Sequence, residues 1–200
     1  MSPRGRAIPD VERRLFDAAE RVLAEHGPGG LSSRAITSEA GTAAGLLFSH
    51  FPDLDAFLAA FVHDRFQRVH EAIGDLPQRA GTGTVAGNLT AAAVAVVPTA
   101  SVLIDLVHAR PSIAARLHDA GHSHAGGLDA IRHAFGAYLE AEGRAGRVST
   151  DTDTDAIALA LASSVHQLSW SHRPGDPELA RAVGRVVVAL VAGITSSRDR

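Results

Sequence analysis

Apolar positions in this chain recur at spacings of three and four, segment after segment, which is the period of helices with one buried side. Val11, Leu15, Ala18 and Val22 make the first stripe, with Asp10 placed to cap it, Gly27 to stop it and His26 beside its negative end. After Pro28-Gly29-Gly30, Ser32 or Ser33 is placed to cap a short helix ending at Gly41. A second short helix is expected over 43–50, ended by Pro52, because a residue before proline is steered out of helical geometry. Asp53 then caps a longer helix whose stripe is Leu54, Phe57, Leu58, Phe61, Val69 and Ile73.

Residues 74–83 are rich in Gly, Pro and Thr and read as a linker. Helices are expected over 84–97, broken at Pro98, then over 99–109, 111–121 and 128–142. A loop over 143–152 precedes two final helices. One, near 153–172, carries Ile157, Leu161, Val165 and Leu168; the other starts at Asp176-Pro177 with Glu178 at its positive end and carries Leu179, Val183, Val186, Val187, Leu190 and Ile194. No strand alternation survives beside these periods. The expected fold class is all-α, with a three-helix head over 1–52 and a helical body over 53–200.

Composition narrows the function. Apolar residues are 46% of the 200 and charged residues 20%, at a mean hydropathy of +0.06, which suits a packed chain. No run approaches the roughly 20 apolar residues of a membrane span, and the start MSPRGRAIPD lacks the apolar core of a secretory signal, so a cytoplasmic protein without a membrane partner is expected. There is no cysteine, which removes disulfides, thiolate catalysis and Cys-ligated zinc. Nor is there a nucleophile elbow, a phosphate-cradling glycine loop or an HExxH pair, so no enzyme and no cofactor is expected. All 19 cations are arginines and the net charge is −3, so nucleic-acid binding would have to rest on local charge.

The informative stretch is LSSRAITSEAGTAAGLLFSHFPDLDAFL, from Leu31 to Leu58. Two short helices joined through Ala40-Gly41 describe a helix-turn-helix, with Ile36 and Leu47 placed to pack them together. Gly41 supplies the left-handed backbone of the turn, and the second helix would project Thr42, Ala44, Leu46, Ser49 and His50 toward a major groove. Residues 11–58 resemble the N-terminal domain of the TetR family of regulators. The matching features are Ala24-Glu25-His26-Gly27, Arg34-Ala35-Ile36, Glu39-Ala40-Gly41 and the run from Gly45 to Pro52.

That resemblance implies a dimer with operator DNA and a small-molecule effector as partners. The implied DNA-facing set is Arg4, Arg6, Ser32, Ser33, Arg34, Thr42, Ala44, Gly45, Leu46, Phe48, Ser49 and His50. Within it Arg34, Ser32, Ser33 and the N-terminal arm would position the duplex, while Ser49, His50 and Thr42 touch base edges. The chain departs from the family pattern at Thr42, Ala43, Ala44, Phe48 and Leu54. Phe48 stands where a phosphate-binding tyrosine is common, and Leu54 where a lysine is. Residues 1–60 hold six arginines against eight acidic residues, a net of −2; Arg4, Arg6, Arg13, Arg14 and Arg34 are the cations left for phosphate.

Eleven histidines raise the question of a metal site. His118, His122 and His124 are the closest set, but flanking glycines make solvated loop residues the better reading, and no metal is assigned. The expected effector site is largely apolar: Phe61, Phe66, Leu103, Leu106, Val107 and Phe135, with Tyr138, His166, Gln167 and Trp170 as polar handles. The expected dimer interface is Ile157, Leu161, Val165 and Leu168 with Val183, Val187, Leu190 and Ile194, closing a four-helix bundle with a second chain. The leading reading is a ligand-responsive repressor. The alternative is a ligand-binding or interaction protein of the same fold whose operator binding is weakened or lost.

Overall fold

The computed structural model describes residues 8–120, 126–172 and 176–195, without the side chains of 8–10, 98, 126–127 and 170. These residues form nine α-helices: α1 (Ile8–His26), α2 (Ser33–Glu39), α3 (Gly45–His50), α4 (Leu54–Gly74), α5 (Val85–Ala109), α6 (Pro111–Asp119), α7 (Gly126–Arg144), α8 (Thr154–Trp170) and α9 (Pro177–Val191). Among the described residues the only pairing of extended backbone is an isolated antiparallel bridge, Val148 to Thr195. The all-α expectation holds.

Helix starts follow the side-chain caps. Ser32 Oγ accepts from Ala35 N at 3.2 Å, Asp53 Oδ1 from Ala56 N at 2.8 Å, Asp153 Oδ1 from Ala156 N at 3.0 Å and Asp176 Oδ1 from Glu178 N at 2.8 Å, so each meets an N–H that the first helical turn leaves without a partner. Two expectations are corrected. α1 starts at Ile8, which puts Asp10 inside the helix instead of at its cap. Residues 84–109 are not two helices separated at Pro98 but the single helix α5, whose halves Val85–Val97 and Thr99–Ala109 meet at 40°. A proline removes one N–H from the ladder and bends a helix whose buried face is continuous on both sides. The linker 74–83 also contains a short 3₁₀ turn, Leu76–Arg79, with Leu76 buried.

The chain divides into two compact units. The first comprises the described residues up to 64 with 105–120; the second comprises 65–104 and the residues from 126 onward. α4 and α5 therefore each contribute to both. In the first unit Phe16 packs against Phe51, Phe57 and Phe61 at centroid distances of 6.2, 5.5 and 6.0 Å, and Phe51 meets Phe57 edge-on at 5.1 Å. In the second, the buried faces of α5, α7, α8 and α9 share one core containing Leu89, Val97, Phe135, Leu139, Leu161 and Val183. No single helix among the described residues is long and apolar enough to cross a membrane.

Candidate nucleic-acid interface

α2 ends at Glu39 with Ala40 as its C-cap, and Gly41 turns the chain at φ +62°, a conformation that side chains disfavour. Gly41 N donates to Ser38 O at 3.1 Å and Thr42 N to Thr37 O at 2.9 Å, which closes the turn. α1 holds it from outside: Arg14 donates to Ala40 O at 3.1 Å, and Arg21 pairs with Glu39 at 2.5 Å. Ile36 and Leu47 are fully buried, so α2 and α3 are fixed by their inner faces. This is the helix-turn-helix expected from the sequence, and Arg14 acts as a clamp on its turn.

The outer face differs from expectation in detail. Ala43, Ala44, Gly45, Phe48 and Ser49 are exposed, and Leu46 is half-buried. Phe48 is 52% exposed, and Ser49 Oγ donates to Leu46 O at 2.7 Å. Thr42 lies half-buried in the turn with its hydroxyl 3.4 Å from Thr37 O. His50 is half-buried, its side chain 19% exposed and its Nδ1 4.0 Å from Glu12 Oε1 on α1. Ser32 and Arg34 are exposed on α2, and Ser33 is half-buried. Ser32 Oγ is engaged as an acceptor by its cap, leaving the O–H proton to donate. Arg4 and Arg6 lie outside the described residues.

Two arginines that the sequence did not single out brace this unit. Arg116 donates to Asp53 Oδ2 at 2.6 Å, gripping the residue that caps α4. Arg110 donates to Leu31 O at 2.8 Å, just before α2, and its guanidinium lies 3.6 Å from Asp55. Partners 63 and 79 positions apart leave no local signal. Beside them a cleft of about 540 Å³ is lined by Ala56, Ala59, Ala60, His63, Arg116, Leu117, Asp119 and Ala120.

The ten residues expected to line an effector site divide between the units. Phe61, Leu106 and Val107 are buried in the first. Phe66, Leu103, Phe135 and Tyr138 are buried in the second, where His166 is half-buried with Nδ1 2.9 Å from Ser101 Oγ, and Gln167 is exposed. The side chain of Trp170 is not among those described. Of the suggested metal set, His122 and His124 fall outside the described residues, among which no three His, Asp or Glu side chains are grouped to hold an ion.

Tyr138 belongs to a buried polar cluster. Its hydroxyl donates to Glu142 Oε1 at 2.5 Å and accepts from Asn88 Nδ2 at 3.0 Å; Gly81 N donates to Glu142 Oε2 at 3.0 Å, and Arg147 lies 3.6 Å from that oxygen. Burial, then the hydrogen bond to Glu142, pushes the phenol well above its ordinary 10.0. The folded chain thus keeps a proton that the unfolded chain releases near pH 10.0, so this contribution to stability is full below pH 10.0 and falls as the pH rises beyond it. Tyr138 is the sole tyrosine, so near-ultraviolet tyrosinate absorbance reports it alone. The native protein is expected to ionise clearly above pH 10.0 and the urea-unfolded chain close to it; a native titration at or below 10.0 would contradict the cluster.

Of the residues expected at a dimer interface, Leu161, Val165, Val183 and Val187 are buried in the chain's own core, and Ile157, Leu168, Leu190 and Ile194 pack against it half-buried. The outward faces carry Ala156, Leu159 and Ser163 on α8, and Arg181, Arg185, Val188, Ala189 and Ala192 nearby on or just after α9. Leu159 and Val188 are each 54% exposed.

Residues 15–61 match the family model for bacterial regulatory proteins of the tetR family. No curated protein matches the chain in sequence. Solved structures do match in fold. SmeT, the repressor of the Stenotrophomonas maltophilia multidrug efflux pump SmeDEF, aligns at TM-score 0.64 and 18% identity over 93% of this chain and 91% of its own. The ketosteroid transcriptional regulator KstR2 of Mycobacterium tuberculosis aligns at 0.65 and 18%, over 96% and 98%. A TetR-like transcriptional regulator from Rhodococcus sp. RHA1 aligns at 0.63 and 18%, again over 96% and 98%.

Proposed function

We propose, from the tetR-family match of residues 15–61 and the likeness in fold to solved transcriptional regulators, that this chain is a homodimeric DNA-binding repressor released from its operator by a small molecule. The observation that carries the reading is the turn at Gly41, braced by Arg14, which holds α3 by Leu47 and leaves Phe48 and Ser49 outward. A six-residue helix held by its inner face and bare on its outer one suits insertion into a major groove. Arg34 and Ser32, with Arg4 and Arg6 on the arm, supply the phosphate contacts.

Two chains pair through the outward faces of α8 and α9, Leu159 and Val188 at the centre, which sets two recognition helices about one duplex turn apart. The effector is a largely apolar molecule carrying one polar group, taken up in the second unit near His166, Ser101, Leu103 and Phe135. α4 and α5 each contribute to both units, so chain continuity supports coupling. Release requires an effector that binds the non-operator arrangement more tightly, since equal affinity for both shifts nothing.

A second reading, the same fold with weakened operator binding, is favoured by one observation: α3 carries no arginine, lysine or acidic residue, and residues 1–60 around it have a net charge of −2. Selection from a random duplex pool separates the two. Enrichment of one two-fold symmetric sequence supports the repressor; a pool that stays random in 50 mM salt, a concentration that favours phosphate contacts, would sink it.

A further inference from the structure

We infer that α3 reads thymine through Phe48, which lays its ring against the thymine methyl group, while Ser49 accepts a hydrogen bond from the amino group of an adjacent base. The inference rests on the DNA-binding reading and adds the class of operator it selects. Of the seven phenylalanines, Phe16, Phe57, Phe61, Phe66 and Phe135 are buried and Phe51 is half-buried against Phe16 and Phe57. Phe48 alone is more than half exposed, and it stands on the one helix proposed to enter the groove. Leaving such a ring in water forgoes burial free energy that a partner surface would recover.

The neighbours decide what that surface is. Ala43, Ala44 and Gly45 are exposed but too short to carry a hydrogen bond to a base edge, and Leu46 is apolar and half-buried. His50 faces Glu12. No guanidinium stands on α3 to make the bidentate contact that marks guanine. Phe48 has no donor or acceptor, and the one apolar group on the floor of the major groove is the thymine methyl. Ser49 spends its proton on Leu46 O at 2.7 Å, so its oxygen is left as an acceptor. The donors facing it in that groove are the amino groups of adenine and cytosine. Adenine stands opposite thymine, so an A·T-bearing half-site satisfies both residues in one or two adjacent pairs.

The test uses the full-length protein and the duplex it selects. Each thymine of the half-site is replaced by deoxyuridine, symmetrically in both halves, and affinity is measured by fluorescence anisotropy at fixed salt. Loss of two methyl contacts is expected to weaken the wild type about 10-fold at one thymine position. Phe48→Ala is expected to bind the thymine and uracil duplexes alike, and Phe48→Tyr to keep the preference. Because Phe48 is outside the core, Phe48→Ala is expected to retain the wild-type circular dichroism and melting temperature. Three results would overturn the assignment: wild-type affinity indifferent to every uracil replacement, a preference undiminished in Phe48→Ala, or selected half-sites lacking thymine. Selection of no duplex at all would instead remove the DNA-binding reading, and this inference with it.

Discussion

Glu142→Ala is expected to lower folding stability by about 3–5 kcal/mol, the cost of removing one partner from a buried charged pair. Glu142 is 0% exposed and its carboxylate accepts from the Tyr138 hydroxyl and Gly81 N, with Arg147 at 3.6 Å. Alanine leaves the buried Tyr138 hydroxyl without its acceptor, at about 1–3 kcal/mol, and takes the partner of Gly81 N on an exposed residue as well. Arg147 is cushioned, because it also donates to Gly83 O at 2.7 Å, which keeps the estimate below the sum of all three losses. Glu142→Gln retains an oxygen for Tyr138 and is expected to cost less than half as much. Urea unfolding followed by far-ultraviolet circular dichroism measures both. A loss under about 1 kcal/mol for Glu142→Ala would mean that the cluster is solvated.

The second large effect concerns assembly. The wild type is expected to be a dimer and Leu159→Arg with Val188→Arg a folded monomer of 20.8 kDa, read by light scattering during size-exclusion chromatography. Both positions are 54% exposed within one chain, so the core is untouched and the melting temperature of the chain itself should hardly move. Arg181 and Arg185 already stand on the outward face of α9, so the added cations would repel across a two-fold interface as well as remove apolar area. Operator affinity should fall at least 100-fold, because linked binding of a second half-site contributes on the order of 10²–10⁴. Val187→Arg, one position away, is expected to unfold the chain instead, since Val187 is buried in its own core. A double variant that remains dimeric would place the interface elsewhere.

That contrast marks what the sequence could and could not convey. Caps were legible because each serves an N–H two or three residues ahead: Ser32, one of two serines placed for the role, and Asp53 perform as expected, and Asp153 and Asp176 follow the same rule at the starts of α8 and α9. Gly41 was legible because only its backbone conformation was at issue. Periodicity located the apolar stripes of α8 and α9 but could not say whether a stripe faces its own chain or a second one. Both faces of α9 carry valines, and the buried one, Val183 with Val187, is the chain's own.

Direction and distance were the other gaps. His50 follows from the helical period as an outward residue, yet α1 brings Glu12 to its ring. Arg110, Arg116 and Glu142 take partners 61 to 79 positions away, and single-chain patterning carries no trace of such pairs. Asp10 has the chemistry of a cap, but the backbone before it is already helical from Ile8. Pro98 marks a bend because the buried stripe continues past it through Ala100 and Leu103.

Two heads of this chain are expected to grip one duplex through few phosphates and an apolar reading face, which an anisotropy titration of the selected operator and a scrambled duplex over a range of salt measures. Two chains per operator and clear preference over the scrambled duplex are expected. Log K should fall with log salt at a slope of about −5, if Arg4, Arg6 and Arg34 of both chains neutralise about six phosphates. Equal affinity for the two duplexes, or no binding to either in 50 mM salt, a condition under which phosphate contacts are at their strongest, would contradict it.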